Sequence, residues 1–153
     1  MIRRGGTALS IALIVDQATK IAIRSQAEQL AGGITVIPGF NLVFSRNEGV
    51  AFGLFTGASW WVLSLFAGAI CVWLLYTMAI ATKKAEAVAA GLIVGGALGN
   101  IIDRIRLGGV TDFLDFYVRD WHWPAFNFAD VAVVCGVALL LLYPLVDRPS
   151  TKS

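Results

Sequence analysis

Charge is what this chain has least of: Asp, Glu, Lys and Arg supply 14% of its 153 residues, while hydrophobic residues supply 58%. A soluble domain of that length has too little polar surface to cover so much apolar side chain. With a mean hydropathy of +0.75, lipid is the natural solvent. Histidine occurs once and cysteine twice. One imidazole and two thiols, Cys71 and Cys135, each midway along an apolar run, argue against a metal site and a disulfide framework. No metal and no cofactor is expected. The net charge of +2 is small and the basic residues form no patch, so nucleic acid is not an expected partner.

What the chain has in abundance is apolar sequence of membrane-crossing length. Four runs, 7–23, 59–81, 85–102 and 127–145, each come close to the length that spans hydrocarbon. The start, MIRRGGTALSIALIV, has the charged and apolar parts of a signal peptide. Asp16 and Lys20 interrupt it, however, and no small-x-small cleavage site follows, so it reads as a retained helix. Trp60 and Trp61 open the second run at headgroup level, and Lys83 and Lys84 close it. The third run holds Gly91, Gly95, Gly96 and Gly99, small residues that let helices pack closely in lipid. Between the first two runs, ITVIPGFNLVF alternates around Pro38-Gly39 and predicts a hairpin or small sheet. The expected fold is therefore a membrane-embedded all-α bundle of four transmembrane helices, with a small extracytoplasmic β-rich platform. It forms one domain over 1–153, with 24–58 and 103–126 as outward loops.

Orientation follows from the basic residues. Arg3, Arg4, Lys83, Lys84, Arg148 and Lys152 fall on one side, and Arg24, Arg46, Arg104, Arg106 and Arg119 on the other. The first group hugs helix ends and includes every lysine outside the membrane, which places both termini in the cytoplasm.

The scarce polar residues are not scattered. Asp16 and Lys20 are four apart on one helix face, which suits either an ion pair that holds helices together or a role at a site. Asp103, Asp112, Asp115, Asp120 and Asp130 lie between 95 and 130. Under the four-span topology Asp103, Asp112, Asp130 and Lys20 share one depth, at the outer boundary. Two carboxylates close together in a poorly hydrated place cannot both ionise, so they share a proton. The ionised member then activates water while the protonated one polarises a carbonyl, the aspartic-protease pattern. Asp103, Asp112, Asp115 and Asp130 are candidates, with Asp130 preferred for a drier helical setting. Asn100 and Asn127 stand three residues before Asp103 and Asp130 and are placed to orient carboxylates or substrate. Arg104 is expected to clasp Asp103. Asp115 and Asp120 read as solvated loop residues, and His122, with Tyr117, Trp121 and Trp123, as part of an interfacial aromatic belt. A transporter or proton channel using the aspartates as a relay is the alternative, although the inner halves of the third and fourth runs carry no polar path.

DQATK, RNEGVAFG, GGALGNIIDR, VTDF and FNFAD, in this order from Asp16 to Asp130, make the chain resemble bacterial lipoprotein signal peptidase (signal peptidase II). The resemblance implies a catalytic dyad of Asp112 and Asp130. It further implies supporting roles for Asp16, Lys20, Asn47, Gly49, Ala51, Asn100, Asp103, Arg104, Asn127 and Ala129. A monomer in the bacterial cytoplasmic (inner) membrane is expected, acting on diacylglyceryl-modified prolipoproteins, with membrane lipid and globomycin-type inhibitors as further partners. The family cleaves just before the modified cysteine. Val50 departs from the alanine common at that place, a change that bears on pocket shape.

Overall fold

The computed structural model describes residues 1–48 and 60–146. In order these form α1 (Ile2–Ser25), the single turn α2 (Ala27–Leu30), β1 (Ile34–Ile37), β2 (Phe40–Asn47), α3 (Trp60–Ile80), α4 (Lys84–Leu107), β3 (Val110–Val118), β4 (Trp121–His122) and α5 (Phe128–Val146). Helix α4 is the central post, and α1, α3 and α5 all pack on it. Its small residues permit this: Ala87, Ala90, Gly91, Gly95, Gly96 and Gly99 are all buried. A methyl group on Gly99 would run into the Asp16 carboxylate of α1. In lipid, close backbone approach of this kind takes the place of a hydrophobic driving force between helices.

The outer helices each bury one stripe. α1 turns Gly5, Ala12, Asp16, Lys20 and Ile23 inward, residues that share a face at the helical period. α3 buries Cys71, Leu74 and Met78 and leaves Leu65, Phe66, Val72, Trp73 and Tyr76 exposed. A surface so apolar is made for hydrocarbon. α1, α3 and α4 are long and apolar enough to cross a membrane, whereas the apolar part of α5, Phe128–Tyr143, is shorter. Among the described residues the fold is thus mostly helical with three candidate spans, against the four expected.

At one end of the bundle sits an antiparallel sheet in the order β1-β2-β3-β4. The hairpin at Pro38-Gly39 joins β1 to β2, as the alternation predicts. The second half of the sheet was not foreseen, since 103–126 was expected as a loop. α4 instead continues to Leu107 and stops at Gly108, which takes a left-handed φ of +74° and donates its N–H to Arg104 O at 2.9 Å. A glycine in that conformation closes a helix without steric cost. β3 follows at once and pairs with β2. Ile23, Leu30 and Phe113 form a small core, with Leu42, Phe44 and Leu114 packed on it, and this fastens the sheet to the end of α1.

Candidate active site

The inward stripe of α1 brings two charges into the bundle. Lys20 Nζ lies 2.9 Å from Asp16 Oδ2 and 3.6 Å from Asp103 Oδ2, and it donates to Asn100 Oδ1 at 2.8 Å. Lys20 and Asp16 are completely buried, so each needs the other. Arg24, one further turn along, reaches Asp103 Oδ1 at 3.4 Å, and the Thr111 N–H donates to Asp103 Oδ2 at 3.0 Å. Asp16 Oδ1 accepts the Ala129 N–H at 3.0 Å. Through these contacts α1, α4, β3 and α5 are tied at one level.

Beside this cluster lie Asp112 on β3 and Asp130 in the first turn of α5, and each contact follows from a fixed donor. Asn127 precedes α5 and caps it: its Oδ1 accepts the Asp130 N–H at 3.1 Å, while Asp130 Oδ2 accepts the Asn127 N–H at 3.1 Å. This reciprocal cap is the box that helix starts favour. With its oxygen committed, Asn127 must point Nδ2 the other way, and it donates to Asp112 Oδ1 at 2.6 Å. Lysine is a donor only, so Lys20 holds the oxygen of Asn100 and turns its Nδ2 to Asp130 Oδ1 at 2.9 Å. Asn47, a diagonal neighbour across β2 and β3, donates to Asp112 Oδ2 at 3.1 Å.

Asp112 and Asp130 line one cavity of about 450 Å³, along with Asn47, Asn100, Arg104 and the segment Trp123 to Phe126. Burial, and then the negative charge of Asp130, push the Asp112 carboxyl up to about 6, against partial relief from Asn127, Asn47 and Lys20. Neither aspartate takes part in an ion pair among the described residues.

Of the supporting residues, Asp16, Lys20, Asn47, Asn100, Asp103, Asn127 and Ala129 belong to this network. Gly49 and Ala51, with Val50, lie outside the described residues. Three expectations are corrected. Arg104 does not clasp Asp103: Lys20 and Arg24 do, because Arg104 lies on the cavity side of α4. Its Nη1 donates to Asn100 O at 3.4 Å, and its Nε is buried without a hydrogen-bond partner among the described residues. Asp112, 3% exposed, is drier than the half-buried Asp130, since a strand sealed between helices and sheet excludes more water than a helix start at a cavity mouth. Asp115 is buried too, held by Asn41 at 2.9 Å and His122 at 2.9 Å. Sequence reading also passed over Gln17, Arg24 and Thr111. The i, i+4 progression Asp16, Lys20, Arg24 was the available signal for the second of these.

Apolar helices around a buried polar network that opens on a carboxylate-lined cavity define the class: a membrane-embedded enzyme. Residues 8–146 match the model of the family described as Signal peptidase (SPase) II. The lipoprotein signal peptidase of Salmonella typhi is 41% identical over 147 residues, 93% of this chain and 88% of that protein. That of Nitratidesulfovibrio vulgaris (strain DP4) is 41% identical over 150 residues, 94% and 89% respectively. A bacterial membrane enzyme solved by the in meso method at 2.3 Å resolution superposes with a TM-score of 0.85 at 30% identity, covering 100% of this chain and 94% of that one. The chain belongs to the signal peptidase II family, and the resemblance drawn from its five motifs is borne out.

Proposed function

We propose that this protein is an aspartic endopeptidase that cleaves prolipoproteins before a diacylglyceryl-modified cysteine, with Asp112 and Asp130 as its dyad. The observation that carries the reading is the shared cavity, in which the hydrogen bonds to the two carboxylates among the described residues come from neutral amides. Asp112, with its raised pKa, keeps the proton, and Asp130, the more exposed of the two, is the base. Asp130 takes a proton from water as the water oxygen bonds to the scissile carbonyl carbon. Asp112 gives its proton to the carbonyl oxygen. As the tetrahedral adduct collapses, its hydroxyl proton returns to Asp112, the carbonyl re-forms, the C–N bond breaks, and the amine leaves with the proton held by Asp130. Arg104 is placed to meet a backbone carbonyl of the bound peptide.

The same reading makes α5 the fourth span. Its 19 residues reach about 28 Å at about 1.5 Å each, close to the roughly 30 Å hydrocarbon thickness. Both termini are then cytoplasmic, the protein sits as a monomer in the bacterial inner membrane, and the cavity faces outward, where globomycin-type inhibitors would enter. An ion relay is not favoured, because the face of α4 that leads away from Asn100 buries Gly96, Gly95, Val94, Ile93, Gly91 and Ala90, without a polar group. The test is a gel-shift assay on a diacylglyceryl prolipoprotein, with and without globomycin. Asp112→Asn and Asp130→Asn should each abolish the shift while the protein still inserts, and full cleavage by either variant rejects the dyad.

A further inference from the structure

Outside the dyad's network, four polar side chains form a chain across the whole sheet. Thr35 Oγ1 on β1 donates to Asn41 Oδ1 on β2 at 2.9 Å. Asn41 Nδ2 donates to Asp115 Oδ2 on β3 at 2.9 Å. His122 Nδ1 on β4 lies 2.9 Å from both Asp115 oxygens. Each direction is set by its neighbour: carboxylate oxygens accept, so Nδ1 of His122 carries the hydrogen. The imidazole also stacks on Tyr117, with centroids 5.1 Å apart. Asp115 is 7% exposed, and a carboxylate so far from water needs its partners.

The position of His122 gives this chain a consequence. β4 is only Trp121–His122, paired to β3 through Tyr117 and Val118, and a ladder that short holds weakly. The segment that follows it, Trp123 to Phe126, is a wall of the dyad's cavity. Trp123 and Phe126 also line a second, apolar cavity of about 480 Å³ bounded by Phe116, Tyr117, Val118 and Trp121. The segment therefore divides two spaces, and its upstream end is held by the His122–Asp115 contact together with the Trp123 N–H, which donates to Phe116 O at 2.8 Å. Its downstream end is anchored separately, by the Phe126 backbone bonds to Leu114 and the Asn127 cap.

We propose that His122 and Asp115 are a positioning pair that clamps β4 and so fixes the wall against which the substrate chain lies. The inference rests on the cavity being the peptide-cleavage site. Because Asn127 has its own anchors, loss of the clamp loosens binding and spares the bond-breaking step. In detergent-solubilised enzyme acting on a diacylglyceryl prolipoprotein, His122→Ala should raise KM about tenfold with kcat within about twofold. His122→Asn, which keeps a side-chain N–H of similar reach, should bring KM back to within about threefold of the parent. A purely structural role would lower the yield or melting temperature of both variants alike and leave no KM-specific rescue. An unchanged KM in His122→Ala, a loss confined to kcat, or failure of His122→Asn to rescue would each overturn the clamp. Those results leave the dyad reading standing, whereas cleavage by Asp112→Asn would remove the dyad and leave the KM effect to be explained.

Discussion

Two pairs of aspartates lie side by side in this protein and are treated in opposite ways. Asp16 and Asp103 are joined by a shared lysine, and Asp103 has Arg24 as well. Asp112 and Asp130 receive amide N–H groups from Asn47, Asn100 and Asn127 and a backbone N–H, with no cation in contact among the described residues. An ion pair ties a carboxylate to its partner and opposes transfer of a proton to it. Amide donors position one while leaving its proton free to move, and burial then sets the proton's affinity. On the proposed reading, the first pair holds helices together and the second reacts. What separates them is the partner rather than the residue type.

The sharpest way to break that distinction is to neutralise both pairs in turn. Asp112→Asn or Asp130→Asn should reduce cleavage by about a thousandfold or more, the scale on which a residue that acts as part of a catalytic unit is lost, with little change in melting. Asp103→Asn should do the reverse. If Asp103→Asn removed activity as completely in a protein that still melts normally, the two pairs would not differ in kind.

Next in size is the lysine. Lys20→Met strands the buried Asp16 carboxylate and leaves Asp103 with Arg24 as its remaining cation, and removal of one partner from a buried ion pair costs about 3–5 kcal/mol. Thermal unfolding in detergent micelles should show most of that loss. The double variant Lys20→Met with Asp16→Asn should lose less than the sum of the singles, because the second change removes the stranded charge. Gly99→Ala tests the same cluster from the side of packing. The added methyl group meets the Asp16 carboxylate and must push it off Lys20 or the Ala129 N–H, for about 1–3 kcal/mol. Trp73→Leu, on the exposed face of α3, is the control and should stay within about 0.5 kcal/mol.

The helices were legible in the sequence because hydropathy over a long window is a local property. Their ends were less so: α4 runs five residues beyond the predicted 102, since Asp103, Arg104 and Arg106 look like the start of a loop until the partners of Asp103 on α1 are known. β3 was missed for a related reason. VTDFLDFYV is rich in β-branched and aromatic residues, but its buried carboxylates mimic a solvated segment, and only pairing with β2 reveals it as a strand. The two-residue period of a strand puts Asp112 and Asp115 on opposite faces, a separation that spacing alone left open and that assigns one to the cavity and the other to His122. The likeness of motifs supplied the dyad; residue chemistry had narrowed it to four candidates. Arg104 was given to Asp103 because they are adjacent in the chain, yet adjacent helical positions point about 100° apart.

The last expected effect concerns pH, and it asks whether the amide-held pair really shares a proton. Burial beside Asp130 raises the Asp112 carboxyl from 3.8 to about 6. The folded protein therefore binds a proton that the unfolded chain has already released between those two values. Protonation stabilises the fold, so this contribution is complete below about pH 4, falls away as pH rises towards 6, and is gone above it. Asp112→Asn should flatten that part of the stability profile measured by denaturant or heat. For activity, kcat/KM reports the free enzyme. It should decline above about pH 6, approaching tenfold per unit, as the shared proton is lost. The kcat profile should hold to higher pH, because a lipid-modified peptide filling the cavity excludes water and makes a second negative charge costlier still. Coincident alkaline limbs for kcat and kcat/KM would mean that the bound substrate does not dry the pair. The contrast with Asp16 and Asp103 would then rest on geometry alone.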